Sequence, residues 1–140
     1  MERWIGFALA SMFFAGFTAV LAKAGLQGIS SDLALGIRTI FVAVFVLLFC
    51  TWVVDPAERS AVTWSHVGWL AASALTTAAS WVFYYKALQT GDVASVALID
   101  KGSVIVAMLL AWLMLGEAIT MRSAFGLALI LSGLLVLVKR

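Results

Sequence analysis

The sequence predicts an all-α membrane protein with five transmembrane helices, and three observations carry that prediction. Hydrophobic residues make up 64% of the chain and charged residues 11%. A soluble fold needs a polar exterior, and a chain of 140 residues has too little interior to hide so much apolar surface. Second, the apolar residues gather into runs that can cross a hydrocarbon core about 30 Å thick, at about 1.5 Å of rise per residue. Third, the polar links between runs are only a few residues long and leave no room for a soluble domain. The expected helices cover about 4–23, 33–54, 64–88, 93–115 and 121–138, in one domain over residues 1–140.

The first run, Trp4 to Ala22, closes at Lys23. Ala22-Lys23-Ala24 has the look of a signal-peptidase site, but the run before it is longer than the apolar core of a signal peptide, so it is expected to stay as a crossing. The link from Gly25 to Asp32 is rich in Gly and Ser and can turn, with Asp32 expected to cap the next helix. The second run, Leu33 to Val54, is interrupted only by Arg38. That side chain either snorkels towards the headgroups or lines a cavity. Asp55 to Ser60 follows, a charged turn expected in water, holding the sole proline, Pro56.

The third run, about Trp64 to Leu88, differs in kind. Ser73, Thr77, Ser80 and Tyr84 follow at i, i+4, i+7 and i+11, which puts four hydroxyls on one helical face. Trp81 and Tyr85 flank that face and Lys86 ends it. Small residues such as Ala71, Ala74 and Ala78 let neighbouring backbones come close, so the hydroxyls also suit helix packing. Trp64 and Trp69 fit an interfacial belt, while Trp81 and Tyr84 lie deeper and suit a solute pocket. Gln89 to Asp92 allows only a tight antiparallel return.

The fourth run, Val93 to Leu115, carries Asp100-Lys101 well inside an apolar stretch. On a continuous helix the pair sits roughly 12 Å in, near the midplane. Charges there cost on the order of 2.5–3.5 kcal/mol each, which the apolar neighbours offset. Intramembrane ionisable residues mark a solute or proton path by default; the alternative is an internal bridge that only fixes packing. Burial disfavours the ionised carboxylate and nearby cations favour it, a balance suited to exchanging a proton for a solute. Gly116 to Thr120 turns the chain into the last run, Met121 to Val138, ahead of Lys139-Arg140. Gly126 and Gly133 fall seven apart and keep one seam open for close helix contact.

The remaining composition excludes other classes. A net charge of +2 without a basic stripe does not suit nucleic acid. One cysteine, Cys50, permits no disulfide framework or thiolate metal site. There is no metalloprotease motif, no Gly-rich phosphate loop and no acid–base–nucleophile set, so no enzyme activity, metal or cofactor is expected. His66, the sole histidine, stands at a helix entrance and suits an interfacial role.

Leu115-Gly116-Glu117, followed by Gly126-x-x-Leu129-Ile130-x-x-Gly133, resembles the end of an EamA domain of the drug/metabolite transporter superfamily. Ala22-Lys23-Ala24-Gly25, Trp81-x-x-Tyr84-Tyr85-Lys86-Ala87-Leu88 and Ile99-Asp100-Lys101-Gly102-Ser103 resemble the short, single-domain EamA-like membrane proteins of bacteria. The likeness spans essentially the whole chain and lies in the ordered set. Many EamA domains carry a proline near the position of Lys101; this chain does not, so the substrates of proline-bearing relatives are not carried over. The resemblance implies a solute site between helices, no ATP-hydrolysing part, and one half of an inverted-repeat fold that needs a second copy as its other half.

The function expected is secondary transport of a small polar metabolite or drug-like solute, with the proton as candidate coupling ion, by a homodimer in the bacterial inner membrane. Asp100 would bind solute or proton, Lys101 and Lys86 would set the field, and Trp81 and Tyr84 would stack on the solute. Ser80, Ser103 and Arg38 are further candidates for the cavity wall. The alternatives are flipping of a lipid-linked or amphiphilic molecule and a non-transporting membrane scaffold. Five crossings put Arg3, Arg59 and Arg122 on one side and Lys23, Lys86, Lys139 and Arg140 on the other. So weak a bias predicts insertion in both orientations and an antiparallel dimer, or a parallel one if Arg38 also counts.

Overall fold

Each polar link folds into a helix start that its own side chains cap. In the computed structural model, which describes residues 3–138, α1 runs Arg3–Gly25, α2 Ser31–Val53, α3 Pro56–Arg59 and α4 Trp64–Thr90. They are followed by α5 Val93–Asp100, α6 Ser103–Leu110, a π turn Ala111–Leu115 and α7 Met121–Val138. No strand occurs among the described residues, and Lys139 and Arg140 lie outside them.

Ser30, not Asp32, caps α2: its hydroxyl accepts from the Leu33 amide at 3.3 Å. Asp32 falls in the first turn, where a carboxylate favours the positive end of the helix dipole. Asp55 accepts from Ala57 N at 2.9 Å with Pro56 at the first helical position, so the charged turn winds into the one-turn α3. Thr63 and His66 cap α4 reciprocally: Thr63 N donates to His66 Nδ1 at 3.2 Å, and His66 N donates to Thr63 Oγ1 at 3.4 Å. Asp92 accepts from Ser95 N at 2.9 Å and starts α5. Gly28 and Gly116 take positive φ, +80° and +69°, at the turns after α1 and after the π turn, where a side chain would be strained.

The chain divides into two compact units. One is Leu21–Thr90, and its centre is the packing of α2 on α4. Leu26, Ser31, Ala34, Tyr85 and Leu88 are buried there, Leu88 completely. Ser31, Ala34, Leu35, Arg38 and Thr39 follow the i, i+3, i+4, i+7, i+8 stripe of a single helix face. The small residues at its start let the two helices approach closely.

The second unit joins α1 up to Val20 with everything from Gly91 onward. Within the expected span 93–115, α5 stops at Asp100, and Lys101-Gly102 forms a turn before α6. The amides of Lys101 and Gly102 donate to Leu98 O and Ile99 O, and those of Val104 and Ile105 donate to Lys101 O and Gly102 O. These three-residue spacings tighten the coil locally to a 3₁₀ step. A Cβ on Gly102 would stand 2.9 Å from Ile99 O and 3.2 Å from Leu134 Cδ1, so glycine is what lets α7 close over the step.

The outside of the chain is apolar. Large side chains such as Phe7, Phe14, Leu47, Trp52 and Leu113 are exposed along the helices, the reverse of a soluble protein. Arg3–Gly25, Ser31–Val53 and Val93–Leu115 are each 23 residues long and apolar enough to cross a membrane. The apolar part of α7, Met121–Val136, is shorter, and α4 has the length, 27 residues, with a more polar interior. The fold is an all-helical membrane fold.

Candidate functional site

A groove runs between α2 and α4 in the Leu21–Thr90 unit. It has a volume of about 470 Å³, in the range of small-molecule sites, and opens on one side. Leu35 and Thr39 of α2 face Leu70, Ser73, Thr77 and Trp81 of α4 across it. Its polar groups are largely engaged: Thr39 Oγ1 donates to Leu35 O at 2.8 Å and Thr77 Oγ1 to Ser73 O at 2.8 Å. The hydroxyl protons thus serve their own helices, and the wall left for an occupant is mostly apolar.

Trp81 ends the groove and carries Arg38 on its ring. The guanidinium carbon lies 4.3 Å from the Trp81 centroid and 6.0 Å from that of Tyr85. Arg38 Nη1 is buried and has no hydrogen-bond partner. A cation–π contact is worth about 0.5–2 kcal/mol. That is less than the ~2.5–3.5 kcal/mol cost of an arginine deep in the membrane, and it gives Nη1 no acceptor.

The other two cations near this end of the unit have acceptors. Lys23 Nζ donates to Leu88 O at 2.5 Å and reaches Gln89 O at 3.5 Å, capping the last carbonyls of α4. Lys86 Nζ stands 3.9 Å from Asp32 Oδ1. Gln89 Nε2 donates to Ile29 O at 3.4 Å and ties the same corner to the turn before α2.

Of the residues singled out in the sequence, Arg38 and Trp81 are in contact, and Lys86 is paired with Asp32. Ser80 is exposed and is not part of the groove wall. Tyr84 stacks its edge on Tyr85 at 6.4 Å, and it is Tyr85, 4% exposed, that packs beside Arg38. Tyr85, Leu35 and Thr39 were not among the candidates; their signal is the i, i+4 relation of Tyr85 to Trp81 and the flanking of Arg38 by Leu35 and Thr39.

Asp100, Lys101 and Ser103 belong to the other unit. Asp100 Oδ2 and Lys101 Nζ are 3.8 Å apart at the 3₁₀ step, both side chains exposed, and Ser103 opens α6. Gly126 and Gly133 of α7 have open space where a Cβ would stand. Among the described residues no cluster of His, Cys, Asp and Glu could hold a metal ion.

An all-helical chain with an apolar exterior, a solute-sized groove and charged residues within its helices is a multi-pass membrane protein of the transporter kind. The chain belongs to the EamA-like transporter family, which matches residues 2–139. It is 39% identical over 140 residues to a protein of Sinorhizobium sp named an uncharacterized transporter in cobO 3'region, covering 97% of this chain and 96% of that one. No solved structure matches it. Transport, with no chemistry on the solute, is the role this family points to.

Proposed function

We propose that the protein is a secondary transporter that carries a small polar metabolite or drug-like solute across the bacterial inner membrane by alternating access. Five crossings, helices α1, α2, α4, the α5–α6 pair and α7, make one half of the machine, and a second copy makes the other. The observation that carries this reading is the Asp100–Lys101 ion pair at a step inside an otherwise apolar span. Discontinuous helices near the midplane are where transporters hold solutes and coupling ions.

Both side chains of the pair are exposed, 41% for Asp100 and 56% for Lys101. An ion pair inside the membrane is costly against lipid and is expected to face water or a partner chain. That supports assembly, as does the open seam of Gly126 and Gly133. In this reading a proton or a cationic group competes with Lys101 for Asp100, and release of the pair accompanies the change of access. Ser103, at the start of α6, adds a hydroxyl beside the site. Amphiphile flipping is the second reading, favoured by the open, apolar groove between α2 and α4.

Flux measured in proteoliposomes under an imposed pH gradient tests the proposal, with a panel of labelled small metabolites. Asp100→Asn keeps the shape and removes the titration; it is expected to fold and assemble but to lose pH-dependent transport. Lys101→Met is expected to change solute affinity. Wild-type, pH-dependent flux in Asp100→Asn would sink the coupling role, and failure of that variant to fold would make the pair a structural bridge.

A further inference from the structure

We propose that Arg38 binds the anionic group of an amphipathic solute whose apolar body lies in the groove beside Trp81. The inference deepens the transport reading and rests on it only for the solute being cargo. Four observations carry it. Arg38 cannot shed its charge by deprotonation, so its donors must find acceptors. Asp32 pairs with Lys86 and Asp100 with Lys101, so neither of these carboxylates supplies Arg38. Lys23 has the α4 carbonyls and Lys86 has Asp32, whereas Arg38 has a ring face and a buried Nη1 without an acceptor. Finally, Trp81 is shared: Arg38 stands over its ring, and Trp81 also lines the apolar groove of about 470 Å³, so the cation and the groove meet at one side chain.

Geometry selects the class. The planar N–H fork of an arginine matches the two oxygens of a carboxylate or phosphate. The groove beyond offers Leu35, Leu70, Ala74 and Ala78 and few free donors, so it takes hydrocarbon or an aromatic ring in place of a polyol. A cationic amphiphile would meet like charge at its headgroup. The same anionic oxygens occur on a free organic acid and on a lipid headgroup, and the experiment separates these sources.

Full-length protein in an uncharged detergent is titrated with phenylbutyrate, with its amide phenylbutyramide and with phenylbutylamine, following heat of binding and thermal unfolding. Phenylbutyrate is expected to bind and to raise the unfolding temperature, while the amide and amine do neither. Arg38→Gln is expected to weaken phenylbutyrate at least about tenfold, the loss of a charge-assisted hydrogen bond. Without ligand, Arg38→Gln is expected to be at least as heat-stable as the wild type, because it removes a charge that lacks a partner; a purely structural Arg38–Trp81 stack predicts the opposite. Should Arg38→Gln not fold, Arg38→Lys decides: it keeps the cation and loses the fork, and wild-type carboxylate affinity there overturns the assignment. Equal binding of the amine, or unchanged carboxylate affinity in Arg38→Gln, also overturns it. The lipid arm adds phosphatidylglycerol, read by native mass spectrometry. Lipid retained by wild type, lost in Arg38→Gln and blocking phenylbutyrate identifies a headgroup; phenylbutyrate binding with that lipid present identifies a free acid; no binding of either overturns the proposal. Flux is read separately: Arg38-dependent anion binding without transport of any solute defeats the transport reading alone, and transport of a cation untouched by Arg38→Gln defeats this one alone.

Discussion

Lys23 and Arg38 show two ways of keeping a cation in an apolar helix. Lys23 sends its ammonium to the C-terminal carbonyls of α4, where orphan acceptors and the negative end of the dipole coincide. Lys23→Met keeps the apolar stem and removes the cap, so it is expected to cost about 1.5 kcal/mol, the lower end for a hydrogen bond to a charged group. A lower unfolding temperature in detergent, followed by helical circular dichroism, checks this; an unchanged one would mean that water serves those carbonyls equally well. At Trp81 the sequence was only half legible. The spacing of Ser73, Thr77, Ser80 and Tyr84 is a true helical face, but so is that of Ser73, Thr77, Trp81, Tyr85 and Leu88, and residues 80 and 81 differ by about 100°. Periodicity does not choose between them. Packing does, because burying Tyr85 and Leu88 removes far more apolar area from water or headgroups than burying Ser80.

At the scale of elements, helix positions were legible because apolar runs and polar links mark them. The step at Lys101-Gly102 was not, because a 3₁₀ turn keeps backbone angles close to helical and leaves the hydropathy pattern unbroken. Only the glycine signals it. Gly102→Ala puts a methyl group against Ile99 O, a backbone atom with little freedom to yield, and against Leu134. We expect a loss of about 1–3 kcal/mol and a loosened contact of α7, seen as a lower unfolding temperature. Gly133→Leu makes a useful contrast, since among the described residues nothing comes within 4 Å of its Cβ. It is expected to leave the single chain folded and to weaken association, measured by the monomer–dimer equilibrium in bilayers. Unchanged association would place the interface on another face.

At the scale of the molecule, composition made the membrane class legible, since an apolar exterior is a property of the whole sequence. Orientation is harder to read, because it turns on a difference of very few charges. The five crossings proposed above would put Arg3, Arg59 and Arg122 on one side and Lys23, Lys86, Lys139 and Arg140 on the other. The positive-inside rule counts Lys and Arg near helix ends, and acidic neighbours matter little, so the pairing of Lys86 with Asp32 does not remove it from the sum. Arg38, held on Trp81 inside α2, is the vote in dispute. Counted, it makes the second side clearly cytoplasmic; discounted, the two sides are nearly balanced. Reporter fusions after Arg140 are expected to read out on both faces of the membrane, as required for an antiparallel pair. Gln27→Lys with Thr90→Lys adds two cations to the second side and is expected to drive the fusion to the cytoplasm. If dual insertion is functional, that doubly substituted chain transports poorly alone and recovers when co-expressed with a chain biased the other way. Wild-type fusions confined to one face, with full transport by the biased chain alone, would make the dimer parallel.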